Sequence, residues 1–294
     1  VDAIIMRMPD RNSGASLNCK DLYADYVKSN SFEKTMIRCL QSLIPYLERD
    51  DEIDIQKIMN WEEVKEIIVP ELVCTRRAGE NLEDLIYRNV EGTDLAIIYR
   101  VKQQVANIVG SIKVSKQMME TWGVDENRIH EFAFHNMNQL STLQIVELNS
   151  DFAMPEETFS ELPEKMNKYS SYVFTNKEAF YGAATIMEEG MLHSIAERLQ
   201  EGFYLLPMDV DNIVVYPEGM MKNLESIHSM VLIHNIQCLE PENYLSDQVY
   251  YYSKEKGELS MSTNPENTQD VIIKILQQAM ECSPGKKEDY GEER

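Results

Sequence analysis

The chain has 294 residues and a mass of 34.1 kDa, a length that allows one large hydrophobic core or two ordinary ones. Hydrophobic residues make up 43% of the chain, enough to fill such cores, so disorder along most of its length is excluded. With 28 basic and 50 acidic residues the net charge is −22, which argues against direct binding to nucleic acid or to an anionic membrane.

The chain opens with a predicted strand and turn. Ala3–Met8 is a run of β-prone residues, and Arg11–Gly14 is rich in turn formers. Ser31 then has the position of an N-cap, and Phe32–Leu47 has the apolar spacing of an amphipathic helix. Cys39 lies on the apolar stripe of that helix, where a free cysteine is expected in the core rather than as a nucleophile.

A second helix is predicted after Asn60. Glu63 follows three positions later in a capping-box pattern, and the helical stripe continues until Pro70. Further on, Leu95–Val101 and Ile108–Val114 are β-branched runs joined by a short polar link. These two runs are predicted to pair as antiparallel strands.

Two further helices follow the paired strands. The first is predicted from Ser115 to Trp122, where Gly123 ends it. The second is capped by Asp125 and carries apolar residues at helical spacing as far as Leu140.

The periodicity is interrupted between residues 149 and 166, where acidic residues, serine and two prolines replace it. A domain boundary or long linker is predicted there. The resulting division is an N-terminal α+β sub-domain (1–150), an acidic Pro-containing linker (151–166), a C-terminal α+β sub-domain (167–282) and a polar tail expected to be disordered (283–294).

The C-terminal half contains more predicted strands than helices, and most of the strands lie too close together for parallel crossovers. The predicted fold class is therefore α+β, with antiparallel sheets and helices packed on one face. The predicted strands are Tyr172–Phe174, Tyr181–Met187, Phe203–Leu206, Ile213–Tyr216, Val249–Tyr252 and Glu258–Met261, and the predicted helices are Leu192–Leu199, Met220–Val231 and Val271–Met280.

No sequence motif assigns a catalytic, cofactor-binding or metal-binding residue. His130 and His135 are five residues apart and His228 and His234 six, so neither pair shares a helix face as metal ligands four apart would. Hydrolase, phosphate-loop and dinucleotide motifs are absent. Asp209–Asn212 resembles part of a calcium loop but lacks its glycine and distal glutamate, so a turn between two strands is predicted.

Four residues are candidates for a functional loop or surface. Thr175, Asn176 and Lys177 form a polar triplet between an apolar strand and the next element, where they could present hydrogen-bond donors. The alternative for this triplet is a simple turn or cap. Asp247, which precedes the strand at Val249–Tyr252, is the fourth candidate.

Acidic residues and methionines are the two compositional features that could form a binding surface. Residues 129–164 contain seven Asp or Glu and no Lys or Arg, which predicts either a solvated face or one that imitates DNA or docks a basic partner. Seventeen methionines include the doublets Met118–Met119 and Met220–Met221. Core filling is the usual role of methionine, whereas an exposed methionine patch would indicate a protein partner.

The cysteines and the hydropathy indicate the compartment. Five cysteines form a scattered, odd-numbered set without a Cys-x-x-Cys pair, which predicts reduced thiols. The sequence has no secretory leader, and no apolar run reaches the roughly 18 residues of a membrane span. A cytoplasmic protein is therefore expected.

Several segments together carry a family resemblance. They are Leu22–Tyr26, Asp94–Tyr99, Met119–Val124, Val173–Lys177, Tyr181–Ala184, Tyr204–Pro207 and Leu245–Tyr252. In this order they resemble an uncharacterised domain-of-unknown-function family of gut Gram-positive (Clostridia-type) bacteria, over residues 3–260. The resemblance implies another helix and strand upstream of Val1, and it supplies no catalytic residues.

Three functions are compatible with these observations. A non-catalytic, cytoplasmic interaction or regulatory protein, which binds another protein through an acidic or Met-rich surface, is favoured. A hydrolase is the first alternative, and a cleft that joins His193 or His228 to two carboxylates would support it. An acidic decoy for a nucleic-acid-binding partner is the second, and scattered acidic residues would count against it.

Overall fold

The computed structural model describes residues 3–7, 14–47, 55–76, 82–105, 108–140, 142–148, 155–238 and 243–264, together with 266, 268 and 271–273. Its strands are β1 (Ala3–Arg7), β2 (Gly14–Asn18), β3 (Ile68–Cys74), β4 (Tyr87–Asn89), β5 (Leu95–Val105), β6 (Ile108–Lys113), β7 (Leu143–Leu148), β8 (Pro155–Phe159), β9 (Ser171–Asn176), β10 (Phe203–Pro207), β11 (Ile213–Pro217), β12 (Tyr250–Ser253) and β13 (Glu258–Met261). Its helices are α1 (Cys19–Ser29), α2 (Phe32–Leu47), α3 (Ile55–Ile58), α4 (Trp61–Val64), α5 (Lys116–Trp122), α6 (Glu126–Leu140), α7 (Met191–Leu199) and α8 (Leu224–Cys238). Two 3-10 helices lie at Gly182–Met187 and Glu218–Met220.

The first compact unit comprises Val1–Val64 and Lys102–Ser111. Its strands β1 and β2 pair antiparallel, which confirms the predicted opening strand. Helix α2 has the predicted bounds, and the Ser31 hydroxyl accepts a hydrogen bond from the Lys34 N–H at 3.4 Å. Cys39 is buried, as expected from the apolar stripe.

The predicted second helix is shorter than expected. After the cap at Asn60 only α4 is helical, and Pro70 lies inside β3 rather than at a helix end. All seven side chains of β3 are buried, so the run from Ile68 to Cys74 is a strand covered on both faces. The prediction that the helix continues to Pro70 was wrong, because a continuous apolar run fits a buried strand equally well.

The second unit comprises Lys65–Val101 and Ile112–Arg294 and contains a seven-stranded antiparallel sheet. The strand order is β13-β12-β10-β11-β9-β7-β8. Helix α8 packs on the outer face of this sheet through the buried side chains Leu206, Val214, Tyr216, Val231 and Val249. The sheet confirms the predicted α+β class with antiparallel strands.

A smaller sheet has the order β3-β5-β4, with β6 paired to β5. Asp94, next to β5, bonds to Tyr250 on the face of the larger sheet that is opposite to α8, which we call its inner face. Helix α6 packs against β3 of this smaller sheet, and Asn136 Nδ2 donates to the carbonyls of Lys65 and Ile68 at 2.7 and 2.9 Å. The 3-10 helix Gly182–Met187 packs against both β3 and β9. It therefore lies between the two sheets.

The helix ends around α5 and α6 confirm the caps predicted from sequence. The Ser115 hydroxyl accepts from the Met118 N–H at 3.1 Å, and Gly123 ends α5 in the left-handed conformation with φ +66°. Asp125 Oδ1 accepts from the Arg128 N–H at 2.8 Å at the start of α6.

Two predicted features look different in three dimensions. The range 151–166, interpreted as a linker, contains β8, and the strands on either side of this range, β7 and β9, pair directly with each other. Tyr181–Met187, interpreted as a strand, is mostly the 3-10 helix. Of the last predicted helix only residues 271–273 are described, and the predicted tail lies outside the described residues.

None of the helices in the described part of the chain combines the length and the apolar character that a membrane span requires.

Candidate functional site

Thr175 and Asn176 end strand β9, and Lys177 begins the loop that leads to the 3-10 helix at Gly182. Asn176 is 2% exposed and closes this loop, because its Nδ2 donates to the Phe180 carbonyl at 2.8 Å while its Oδ1 accepts from the Phe180 N–H at 3.1 Å. Lys177 is exposed. The triplet thus fixes a loop rather than offering three donors to solvent.

The loop contains two strained residues. Ala179 and Tyr181 have φ values of +45° and +55°, in the left-handed region that side chains other than glycine rarely occupy. Such strain is concentrated at functional positions when the surrounding contacts hold it in place. One contact that holds Tyr181 in this conformation is a hydrogen bond, in which the Tyr181 N–H donates to Asp211 Oδ1 at 2.6 Å.

Asp211 belongs to the turn between β10 and β11, which confirms the turn predicted at Asp209–Asn212. Burial raises the pKa of Asp211 to about 6, and the Asp209 and Glu71 carboxylates add to the rise, whereas the N–H of Tyr181 opposes it. Asp209 in turn accepts from the Asp211 N–H at 2.8 Å and from Asn212 Nδ2 at 2.9 Å.

Two further features complete what we call the Asp211 site. Arg100 forms an ion pair with the buried Glu71, and its guanidinium lies 4.9 Å from the ring centroid of Tyr181. The hydroxyl of Thr175, which is 8% exposed, has no hydrogen-bond partner among the described residues. An orphaned buried hydroxyl beside a perturbed carboxyl and a strained residue marks a place where stability is not optimised.

The chemistry available at the Asp211 site is proton transfer near pH 6, the range in which its carboxyl titrates. Over the residues that the structure describes, no three His, Cys, Asp or Glu side chains converge as a metal site. Sequence reasoning missed Glu71 and Arg100. The signal was a charged residue within the otherwise apolar run of β3.

Asp247 lies in a different cluster, before β12. Its Oδ1 accepts from Asn235 Nδ2 at 2.8 Å, and its carbonyl accepts from His228 Nε2 at 2.8 Å. Both partners lie on α8, so Asp247 attaches the segment before β12 to that helix. Burial lowers the pKa of His228, which keeps its ring neutral at pH 7.

A buried polar cluster that sequence reasoning did not find connects the two sheets, and we call it the Asp94 cluster. The Tyr250 hydroxyl lies 2.7 Å from both Asp94 Oδ1 and Ser246 Oγ. Cys74 Sγ donates to Asp94 Oδ2 at 3.5 Å. Three of these residues lie in the segments that carry the family resemblance, which was the available signal.

The Asp94 cluster has the residue types of a nucleophilic site without the properties of one. Burial, and after it the Asp94 carboxylate, raises the pKa of Cys74 to about 11, so the thiol is protonated and unreactive at pH 7. Asp94 and Tyr250 are 5% and 0% exposed. The cluster therefore holds the sheets together.

The two histidines considered for a hydrolase lie in different surroundings. His193 is exposed on α7. His228 bonds to a backbone carbonyl and has Asp247 as the acidic neighbour that affects its pKa.

A groove of about 560 Å³ lies on the outer face of the larger sheet, where α8 begins. Tyr169, Tyr216, Met220 and Ile227 form its apolar walls. The walls are fixed locally, since the Tyr216 hydroxyl donates to the Met220 carbonyl at 3.3 Å. Its volume is that of an ordinary binding pocket.

The rim of the groove is polar. Lys222, Asn223 and Ser226 line it, and Asn223 caps α8 by accepting from the N–H groups of Glu225 and Ser226 at 2.9 and 3.3 Å. The methionine doublet singled out in the sequence lies here, with Met220 in the wall and Met221 packed on the core cluster beneath.

The comparison with known protein families places the chain in one of them. Residues 1–254 match a family of unknown function, DUF5688. This match is consistent with the resemblance to an uncharacterised family that several sequence segments carry. No curated protein and no solved structure matches the chain. Because the match covers most of its length, the chain belongs to the family of unknown function DUF5688.

Proposed function

We propose that this protein is a non-catalytic, cytoplasmic interaction protein that binds a segment of another protein in the groove at the start of α8. The observation that carries the proposal is the lining of the groove by Tyr169, Tyr216, Met220 and Ile227. Tyrosine and methionine are enriched in protein interfaces, where they supply contact area that can adapt to a partner.

The methionines beside the groove support a protein partner. Met208, Met221 and Met230 are partly buried and pack on the same core cluster as Met220. Because these unbranched side chains change rotamer at low cost, the groove wall can adjust to an incoming side chain. The polar rim would hydrogen-bond the backbone of an extended segment.

The thiols support a reducing compartment. Cys19 and Cys74 have free thiols in the described part of the chain, and reduced thiols are typical of cytoplasmic proteins. The net charge of −22 favours a partner with positive charge.

The test is affinity capture from the source cells with the full chain and two variants. Met220→Lys places a charge in the groove wall. Leu140→Lys makes the same kind of change at a 40% exposed residue of α6, in another layer of the unit. We expect wild type and Leu140→Lys to retain the same stoichiometric partner and Met220→Lys to lose it by roughly tenfold or more.

Circular dichroism shows whether each variant is folded, so that lost binding is not confused with lost structure. A partner retained equally by folded Met220→Lys would contradict the proposal, as would the absence of any stoichiometric partner.

The Asp211 site favours a second candidate function, a hydrolase that uses a carboxyl with a pKa of about 6 as its acid or base. Its support is the combination of this carboxyl with the strained Tyr181 and the orphaned Thr175 hydroxyl. A screen against chromogenic esters, phosphoesters and glycosides tests it. Activity that is absent in Asp211→Asn would establish this function, and an inactive wild type would remove it.

A further inference from the structure

Three tyrosines form a row across the outer face of the larger sheet, next to the groove. Tyr204 on β10 pairs directly with Tyr216 on β11 and with Tyr251 on β12. Directly paired residues of antiparallel strands point to the same face, so the three rings follow one another across the sheet. The ring centroids of Tyr204 and Tyr251 are 5.0 Å apart. We call Tyr216, Tyr204 and Tyr251 the tyrosine row.

The row begins in the groove and ends beside glutamates. Tyr216 lines the groove. At the other end, the Tyr251 hydroxyl donates to Glu218 Oε2 at 2.9 Å. Glu201 lies on the same side, where its Oε1 accepts from the Gly219 N–H at 2.9 Å. The nearby Lys254 is paired with Glu197 at 3.5 Å.

The electrostatic environment of the row is negative. Burial raises the pKa of Tyr251 to about 12, and the Glu218 and Glu255 carboxylates contribute to that rise. Burial and Glu218 also raise the pKa of Tyr204. Both rings are therefore neutral at pH 7 and lie in a field that attracts cations.

The chain itself shows how such rings bind a guanidinium. Arg100 lies over the ring of Tyr181 at 4.9 Å while its Nε is paired with Glu71, and Arg128 lies over Phe132 at 4.7 Å. A planar guanidinium can stack on an aromatic face and bind a carboxylate at the same time, which a lysine ammonium does less well.

We propose that the tyrosine row takes an arginine side chain of the segment bound in the groove, with the guanidinium over Tyr204 and Tyr251 and hydrogen-bonded to Glu218. The proposal rests on the proposed function, since the groove places the segment beside the row. It adds the chemistry of the partner, which is an extended segment with apolar residues for the groove and an arginine a few residues away.

The test begins with short random peptides displayed on phage and selected on the immobilised full chain. A selected peptide is then synthesised with arginine, with lysine and with citrulline, which has the shape of arginine without its charge. We expect arginine to be enriched and its replacement by citrulline to weaken binding to wild type about tenfold, with lysine between them.

The same peptides are measured on Glu218→Gln and on Glu120→Gln, a matched removal of charge at an exposed glutamate of α5. On wild type the arginine peptide should bind about tenfold more tightly than the citrulline peptide. This ratio of affinities should shrink to about twofold on Glu218→Gln and stay near tenfold on Glu120→Gln. Tyr251→Leu should reduce the ratio of affinities for the arginine and citrulline peptides in the same way as Glu218→Gln.

Two failures can be told apart. Peptides that are lost on Met220→Lys but bind equally with arginine or citrulline would overturn this inference and leave the groove as a binding site. Peptides that bind equally to wild type and Met220→Lys would overturn the proposed function and this inference with it.

Discussion

The two faces of β12 give neighbouring tyrosines opposite roles. Tyr250 points inward, is fully buried and hydrogen-bonds Asp94, while Tyr252 stacks on Phe203 with ring centroids 5.3 Å apart. Tyr251 points outward, is partly exposed and reaches Glu218. The inner face holds the buried Asp94 cluster, which stabilises the contact between the sheets, whereas the outer face has the groove and the tyrosine row. A cluster of polar residues is therefore not by itself evidence of a functional site.

The largest effect is expected at the inner face from Asp94→Ala. This change removes the acceptor of the buried Tyr250 hydroxyl and the partner of Cys74 Sγ. Because buried groups left without partners cost their full desolvation, the free energy of unfolding should fall by about 3 kcal/mol. Urea unfolding measures it, and a loss below about 0.5 kcal/mol would show that the cluster does not hold the sheets together.

Tyr250→Phe should have the next largest effect. It keeps the ring and removes the hydroxyl that lies 2.7 Å from Asp94 and from Ser246. The expected loss in urea unfolding is about 2 kcal/mol, since two buried oxygens lose a partner. If Tyr250→Phe and Tyr251→Phe lowered the free energy of unfolding equally, the two faces of β12 would not differ in their contribution to stability.

Asp211→Asn should change the pH dependence of stability. The pKa of Asp211 rises from an ordinary 3.8 to about 6 in the folded protein, so the folded state binds its proton more tightly than the unfolded state. The wild type therefore loses stability from this group as pH rises from about 4 to 6 and does not regain it at pH 7. Asparagine can still accept from the Tyr181 N–H and carries no charge.

Thermal unfolding of the two proteins between pH 4 and 7 checks this prediction. The melting temperature of the variant relative to wild type should increase through that interval. A constant difference would mean that Asp211 has no raised pKa, and Glu120→Gln serves as the control for a general charge effect.

The smallest effect on stability is expected for Tyr251→Phe. The hydroxyl it removes is bonded to Glu218, an exposed side chain that water can solvate instead. The free energy of unfolding, measured in urea, should fall by less than about 0.5 kcal/mol. A loss near that of Tyr250→Phe would show that the tyrosine row is part of the core.

Local signals in the sequence predicted local structure well. Ser115, Gly123 and Asp125 set the ends of α5 and α6 because caps depend on residues within one turn. The pairing of β7 with β9 could not be predicted, because strands that pair across a long intervening segment leave no pattern in a single sequence. Tyr181 was interpreted as part of a strand because its left-handed conformation depends on Asp211, thirty residues away.

The candidate sites were predicted only in part. Core filling was the expected role of the methionine doublet, with a partner surface as the alternative; Met220 lies in the groove wall and Met221 packs on the core cluster. Thr175 was a candidate for a functional loop or surface, but its orphaned hydroxyl results from neighbours that the sequence does not specify. The tyrosine row depends on the register of three strands, which only the structure provides.

Site-specific photo-cross-linking in the source cells tests the binding groove most directly. A photoreactive phenylalanine analogue replaces Tyr169 in the groove, and in a matched variant it replaces His193, which is exposed on α7. Binding in the groove predicts one discrete adduct with another protein from position 169 and none from position 193. Equal adducts from both positions, or none from either, would contradict it.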